Sequence, residues 1–215
     1  MNDYNIWQIE RYYDSIIKTE EFQNKSLETF ESRNFDTKIA NQVVSTYFAN
    51  LSKYAKKGEG FTIMGPKGVG KTHLLTACRL KLIELQVFAP LLRCTDICIA
   101  MQIAKNYYDK SFSEYDIIAK LSIIPILLID DFLRGTKSFD RIGYNDLDWP
   151  AIFYAIINAR YENKKPIFLT TNFKYVEMQA YLGEHNYGEF IVDRLKARNQ
   201  LIWLGGKSQR TKEDK

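Results

Sequence analysis

The sequence predicts an α/β fold in which a mostly parallel five-stranded sheet is covered on both faces by helices. Three observations carry this. Five short apolar runs recur along the chain: "FTIM" (61–64), "VFAPLL" (87–92), "PILLID" (125–130), "IFLTT" (167–171) and "LIWL" (201–204). Helical stretches separate them, at about 71–86, 95–121 with a break near Ser111, and 149–163. Such alternation is the pattern of strand–helix–strand crossovers, which bury both faces of the sheet. Finally, polar residues gather just beyond several of the runs, where ligands bind in open parallel sheets.

Length and composition agree with one full-sized globular domain: 215 residues, of which 46% are hydrophobic and 14% aromatic. The formal net charge of +4 is unevenly spread. Residues 1–33 hold seven acids and four bases, a balance of −3, so the remainder carries +7. A basic body is compatible with an acidic partner such as nucleic acid. The cysteines, Cys78, Cys94 and Cys98, are too few and too unevenly placed for a disulfide framework. Cys94 and Cys98 also lack a second Cys or His pair at zinc spacing. Together with the absence of a leader pattern this predicts a reducing cytoplasm. No apolar run reaches the ~18 residues that span a bilayer, so a soluble protein is expected.

Taken in order, "YNIWQIERYYDSIIK" (4–18) sets Ile9, Tyr12, Tyr13, Ile16 and Ile17 on one helical face. A second helix is predicted after Asp36 as its cap, with Ile39, Val43, Val44, Tyr47, Phe48, Leu51 and Tyr54 on one side. Lys56 and Lys57 suit its C-terminus and Gly58 its stop. The expected organisation is an N-terminal helical segment (1–33), a main domain (34–206) and a polar tail (207–215) that frays.

Directly after the first run stands "GPKGVGKT" (65–72), which fits G-x-x-x-x-G-K-[ST] between a strand and a helix. Gly65, Gly68 and Gly70 let successive backbone N–H groups turn inward, and the helix N-terminus adds its positive dipole end. A nucleoside triphosphate is the natural guest. The cradle is expected to run from Gly65 through Pro66, Lys67, Gly68, Val69, Gly70, Lys71 and Thr72 to His73. Lys71 would reach the β- and γ-phosphates and the Thr72 hydroxyl would bind Mg²⁺.

"LLIDD" ends the third run with two adjacent carboxylates. Asp130 is read as the Mg²⁺ partner and Asp131 as the base or water-orienting group. The neighbouring positive charges would let both stay ionised. "LTTN" places the polar pair Thr171 and Asn172 at the end of the fourth strand, suited to a water beside the γ-phosphate.

In order and spacing, "GPKGVGKT", "LLIDD", "LTTN", "VDRL" and "GKSQR" resemble the AAA+ ATPases of the DnaC/DnaI helicase-loader and IstB transposition-helper group, over about residues 30–210. The resemblance implies a P-loop NTPase (AAA+/ASCE) sheet, with no full helical lid in the eleven residues after "LIWL". It also implies a sensor-one role for Asn172. Arg194 matches the arginine finger given to a neighbouring subunit's ATP site, with Arg198 as a substitute, and Arg210 matches the sensor-two arginine. Either Asp or Glu follows the Walker B aspartate in this group, so Asp131 is compatible with catalysis.

The expected function is an ATP-dependent loader of a replicative helicase onto single-stranded DNA, an ATPase active as a homo-oligomer. The alternative is a transposition helper acting on a transposase and duplex DNA. Two departures stand out. No cysteine occurs before Cys78, so the N-terminal segment is expected to differ from the zinc-bearing helicase-binding domain of the DnaI-type loaders, with segment 4–18 either docking a partner or packing on its own ATPase body. The insertion "LRGTKSFDRIGYNDLD" (133–148) lacks the usual early glycine. DNA contact is expected between the second and third strands through Lys105, Tyr107, Tyr108 and Lys110, a cation–aromatic cluster. Arg134, Lys137 and Arg141 in the insertion are a second possibility, against a simple solvated loop.

Overall fold

The structure is a computed structural model that describes residues 25–31, 33–106, 113–134, 147–183 and 187–208. The predicted helix at 4–18, Tyr107, Tyr108, Lys110, Lys137, Arg141 and Arg210 lie outside the described residues. Five strands form one parallel sheet: β1 (Gly60–Met64), β2 (Leu91–Arg93), β3 (Leu127–Asp130), β4 (Ile167–Thr171) and β5 (Asn199–Trp203). Their order is β2-β3-β4-β1-β5. The strands of the P-loop and of the paired aspartates are therefore separated by β4, whose end reaches both.

The helices are α1 (Phe35–Ala49), α2 (Leu51–Lys57), α3 (Lys71–Glu84), α4 (Cys94–Asn106), α5 (Glu114–Ile123), α6 (Trp149–Glu162), α7 (Tyr175–Tyr181) and α8 (Tyr187–Arg198). Strand parity sorts the core into two layers. Phe61, Ile63, Leu128, Phe168 and Ile202 pack with Val44 and Tyr47 of α1 and Leu74, Leu75 and Leu82 of α3. On the other face Met64, Leu127, Ile129 and Leu169 pack with Met101, Leu121, Phe153, Ile157, Ile191 and Leu195 of α4, α5, α6 and α8. Both faces being covered explains why the strands read as continuous apolar runs. Phe30 and Leu27 join the first layer, so the packing of the main body reaches back beyond residue 34.

Several boundaries differ from the sequence expectation. The cap of α1 is Asn34, not Asp36. The Asn34 side chain accepts from the Thr37 N–H at 2.9 Å, while the Thr37 hydroxyl oxygen accepts from the Asn34 N–H at 3.0 Å. Asp36 sits in the first turn and accepts from the Gly205 N–H at 3.0 Å, tying the helix start to the chain after β5. The single long helix expected through Tyr54 is broken at Asn50, whose side-chain amide donates to the Thr46 carbonyl at 3.0 Å and competes with the helix ladder. Gly58 does stop α2, at φ 74°. The second strand shrinks from 87–92 to Leu91–Arg93 because Pro90, with no N–H to donate, precedes it. The fifth begins two residues early, at Asn199, whose amide donates to the buried Thr62 hydroxyl at 3.1 Å.

Among the described residues no helix is long and apolar enough to cross a membrane. The three cysteines are buried free thiols.

Candidate nucleotide site

The site lies at the carboxyl edge of the sheet, where in-register pairing brings the strand ends side by side. Met64, the last residue of β1, is opposite Thr171 of β4, and Arg93 at the end of β2 is opposite Asp130 of β3. The loop 65–70 leaves β1 and turns into α3. Gly70 caps that helix at φ 101°, and Gly68 has φ 81°, conformations in which a side chain is strained. A Cβ on Gly68 would also lie 2.1 Å from the Ser208 hydroxyl oxygen. The "GKSQR" segment thus runs against the loop as far as it is described, two residues short of Arg210.

Lys71 is 6% exposed, and its ammonium donates to the carbonyls of Gly65 at 2.8 Å and Pro66 at 2.7 Å and to the Asn172 side-chain oxygen at 2.6 Å. The P-loop lysine and the predicted sensor residue are brought into direct contact across the sheet end. Thr72 donates from its hydroxyl to the Asp130 carboxylate, at 3.1 and 3.2 Å to the two oxygens. Asp130 is itself 6% exposed, and burial pushes its carboxyl above the ordinary range despite the hydroxyls that favour its ionised form.

Thr170 escaped the sequence reading. Its hydroxyl donates to Asp130 Oδ1 at 2.5 Å and accepts from the Asp131 N–H at 2.9 Å. The available signal was parity: Phe168 and Thr170 share one face of β4, and Thr170 is the polar residue two before the predicted sensor at the strand's end. Phe132 follows the two aspartates into the core and donates its N–H to the Thr170 carbonyl at 2.7 Å, while its own carbonyl accepts from the Thr171 hydroxyl at 3.1 Å.

Asp131 is half-buried with φ 54°, and its carboxylate meets the Arg134 guanidinium at 2.5 Å. His73 turns its ring to the 25–30 segment: Nε2 is 3.2 Å from the Ser26 carbonyl and 3.3 Å from the Thr29 hydroxyl, with Phe30 edge-on. Burial lowers its imidazole below the usual range. Its ring therefore joins the N-terminal turn, leaving its backbone N–H, in the first turn of α3, for the cradle.

Arg194 lies elsewhere. Its Nε donates to Asn158 of α6 at 2.7 Å, and the guanidinium rests 5.5–5.8 Å from the rings of Tyr154, Phe190 and Tyr161. These contacts keep it on the α6–α8 surface, with none to the P-loop residues of its own chain. Arg198 stacks 4.8 Å over Tyr161. Lys105 is exposed in the last turn of α4.

The residues fit a nucleotide with its cation. Asp130 is a desolvated carboxylate that receives hydroxyl donors and no cation among the described residues. With Thr72 it offers hard oxygen donors suited to Mg²⁺, which usually takes few protein ligands and completes its shell with phosphate and water. No group of three or more His, Cys, Asp or Glu able to hold a metal occurs among the described residues.

Several solved structures share the fold. The DnaC helicase loader has the same fold, with a TM-score of 0.63 and 22% identity over 86% of this chain and 99% of that chain. DnaI gives a TM-score of 0.64, with 20% identity over 86% of this chain and 90% of that one. AMPPCP-bound DnaA from Aquifex aeolicus gives 0.61, with 20% identity over 84% of this chain and 50% of that one. The sheet and its flanking helices thus share the fold of these proteins. A candidate ATP-binding protein of insertion sequence IS21 from Pseudomonas aeruginosa is 28% identical over 88% of this chain, which spans 65% of that relative's length. A second, of IS232 from Bacillus thuringiensis subsp. berliner, is 24% identical over 93% of this chain and 74% of its own length. The IstB-like ATP binding protein family matches residues 3–215, and the chain belongs to that family.

Proposed function

We propose that the chain is an ATP-hydrolysing helper of DNA transposition, acting with a transposase on duplex DNA. The observation that supports the hydrolytic part is the two sets of contacts Lys71–Asn172 and Thr72–Asp130–Thr170, which draw the ends of β3 and β4 to the P-loop after β1. The insertion-sequence ATP-binding relatives support this reading over the helicase loader expected first from the motifs.

In the mechanism, Lys71 exchanges its loop carbonyls for the β- and γ-phosphates, which carry full charge where the carbonyls carry only dipoles. Thr72 and Asp130 would hold Mg²⁺, which when bound neutralises charge on the phosphates. Asp131 orients the attacking water, and Asn172 fixes the same region from β4. Arg210 contacts the γ-phosphate in cis, and Arg194 enters the site of a neighbouring copy, so that hydrolysis requires a homo-oligomer. An arginine supplied in trans accelerates such reactions by ~10³ to 10⁵. A reducing cytoplasm would keep the buried cysteines as thiols.

The second reading, a loader for a replicative helicase on single-stranded DNA, is favoured by the five-motif order and by the cation–aromatic cluster at Lys105, Tyr107, Tyr108 and Lys110. Binding measured with ATP on long duplex and on single strands separates the two. Preference for duplex, with retention of a transposase and not of a replicative helicase, is expected; the reverse preference would establish the loader. Lys71→Ala should abolish nucleotide binding under either reading, and tight ATP binding by that variant would remove the site assignment.

A further inference from the structure

The four residues 131–134 form a turn with more structure than a loop exit from a strand needs. Asp131 at φ 54° and Leu133 at φ 67° both occupy the left-handed region without being glycine. Such conformations persist only where surrounding contacts enforce them. Here the enforcing contacts are visible. Phe132 and Leu133 are each 1% exposed, and the N–H groups of Asp131 and Phe132 are taken by the hydroxyl and carbonyl of Thr170. The Arg134 N–H closes the turn on the Asp131 carbonyl at 2.9 Å.

The result is a rigid backbone that brings Arg134 back over Asp131. Its Nη1 donates to Asp131 Oδ2 at 2.5 Å, and Oδ1 accepts from no group among the described residues. One oxygen is held by Arg134, and the other by no described residue. The Arg134 side chain is 58% exposed and that of Asp131 25%, so this pair adds little to stability. Its value lies in geometry. An aspartate is one methylene shorter than glutamate, and a short carboxylate free to rotate would present its oxygens poorly to a water.

We propose that Arg134 is a positioning residue for ATP hydrolysis: it fixes Oδ2 of Asp131 and leaves Oδ1 to accept from the attacking water. The proposal rests on the reading of Asp131 as the water-orienting carboxylate. In the step it serves, the water oxygen bonds to the γ-phosphorus as the bond from that phosphorus to the β–γ bridging oxygen breaks. The electron pair leaves on ADP. One water proton passes to Asp131 Oδ1 and then to the released phosphate. A base oriented by a third group is a recurring arrangement at activated nucleophiles.

The test is steady-state ATP hydrolysis by the full chain in its assembled, DNA-stimulated form, comparing Arg134→Ala, Arg134→Lys, Asp131→Asn and the double variant Asp131→Asn with Arg134→Ala. Loss of orientation should lower kcat about tenfold for Arg134→Ala while KM stays within about twofold. Arg134→Lys, which keeps one charged donor, should recover most of the rate, and the double variant should be no slower than Asp131→Asn alone. Unchanged or raised kcat in Arg134→Ala, or a change confined to KM, with Asp131→Asn inactive, overturns the positioning role and leaves Asp131 in place. Full activity of Asp131→Asn overturns both.

Discussion

Asp130→Asn should make the protein more stable in the absence of Mg²⁺ and nucleotide, and less responsive to them. The carboxylate is 6% exposed, and among the described residues its side-chain donors are two hydroxyls, Thr170 at 2.5 Å and Thr72 at 3.1 Å. Removing a carboxylate from water costs several kcal/mol after relaxation, whereas each bond from a neutral donor to it returns roughly 1.5–3 kcal/mol. Asp131 next door adds repulsion. The two sides nearly cancel, with the balance against the charge. Asparagine keeps one oxygen to accept from Thr170 and removes the charge, so a gain of about 1–2 kcal/mol is expected, a size common for substitutions at functional positions. For a chain of this length that is a Tm rise of roughly 2–8 °C.

The sign with pH follows from the raised carboxyl. A group whose folded pKa lies above its unfolded value contributes stability that is full below the unfolded pKa and lost as pH rises through the folded one. Without cation, the unsubstituted protein should therefore gain stability as pH falls from neutrality towards the carboxylate range, and Asp130→Asn should lack that component. Saturating ATP with Mg²⁺, at about 100 times Kd, stabilises the unsubstituted protein by ~2.7 kcal/mol and should reverse the order of the two. Thermal unfolding with and without ligand measures all of this. A variant that unfolds earlier than the unsubstituted protein in the absence of ligand would refute the reasoning, because the carboxylate would then be a structural anchor rather than a poised charge.

Two further outcomes follow from buried or stacked arginines. Arg160 is 1% exposed and donates to the carbonyls of Leu121 and Ile124 at 2.6 and 3.0 Å and of Pro166 at 2.6 Å; burial pushes its guanidinium down to about 9. Arg160→Met leaves those carbonyls without this donor and should cost about 3 kcal/mol, read as a lower denaturant midpoint with an unchanged m-value. Arg194→Ala removes a guanidinium that packs on Tyr154, Tyr161 and Phe190 as well as the proposed trans finger. ATP affinity should be unchanged while assembly-stimulated hydrolysis is lost; turnover equal to that of the unsubstituted chain, measured above the assembly concentration, rules out the finger.

What the sequence disclosed and what it hid follow from the range of the interactions involved. The phosphate loop and the carboxyl-end aspartates were legible because each is a local device, set by backbone conformation at Gly68 and Gly70 or by the end of an apolar run at Asp130. Thr170 was not, since its role depends on β4 lying between β1 and β3, and strand order is a non-local fact. The cap of α1 was misplaced by two residues because Asn34 and Asp36 are both good caps by type, and only the reciprocal bond from Thr37 and the distant Gly205 N–H distinguish them. The Asp131–Arg134 pair hid for a different reason. Positive φ at two non-glycine residues contradicts local preference, and it holds only because Phe132 and Leu133 are pinned in the core.

That strain and the buried charge of Asp130 sit on the same short stretch, and Thr170 touches both. Its hydroxyl proton goes to Asp130, so its oxygen is left to receive the Asp131 N–H, and one side chain thereby sets the carboxylate that would meet the cation and the backbone of the one that would meet water. Asn172, two residues on, accepts from Lys71. The end of β4 and the residue after it thus touch the P-loop lysine and both aspartates. A ligand that draws Lys71 away from Asn172 would free that side chain just beyond the strand whose Thr170 holds both Asp130 and the Asp131 backbone.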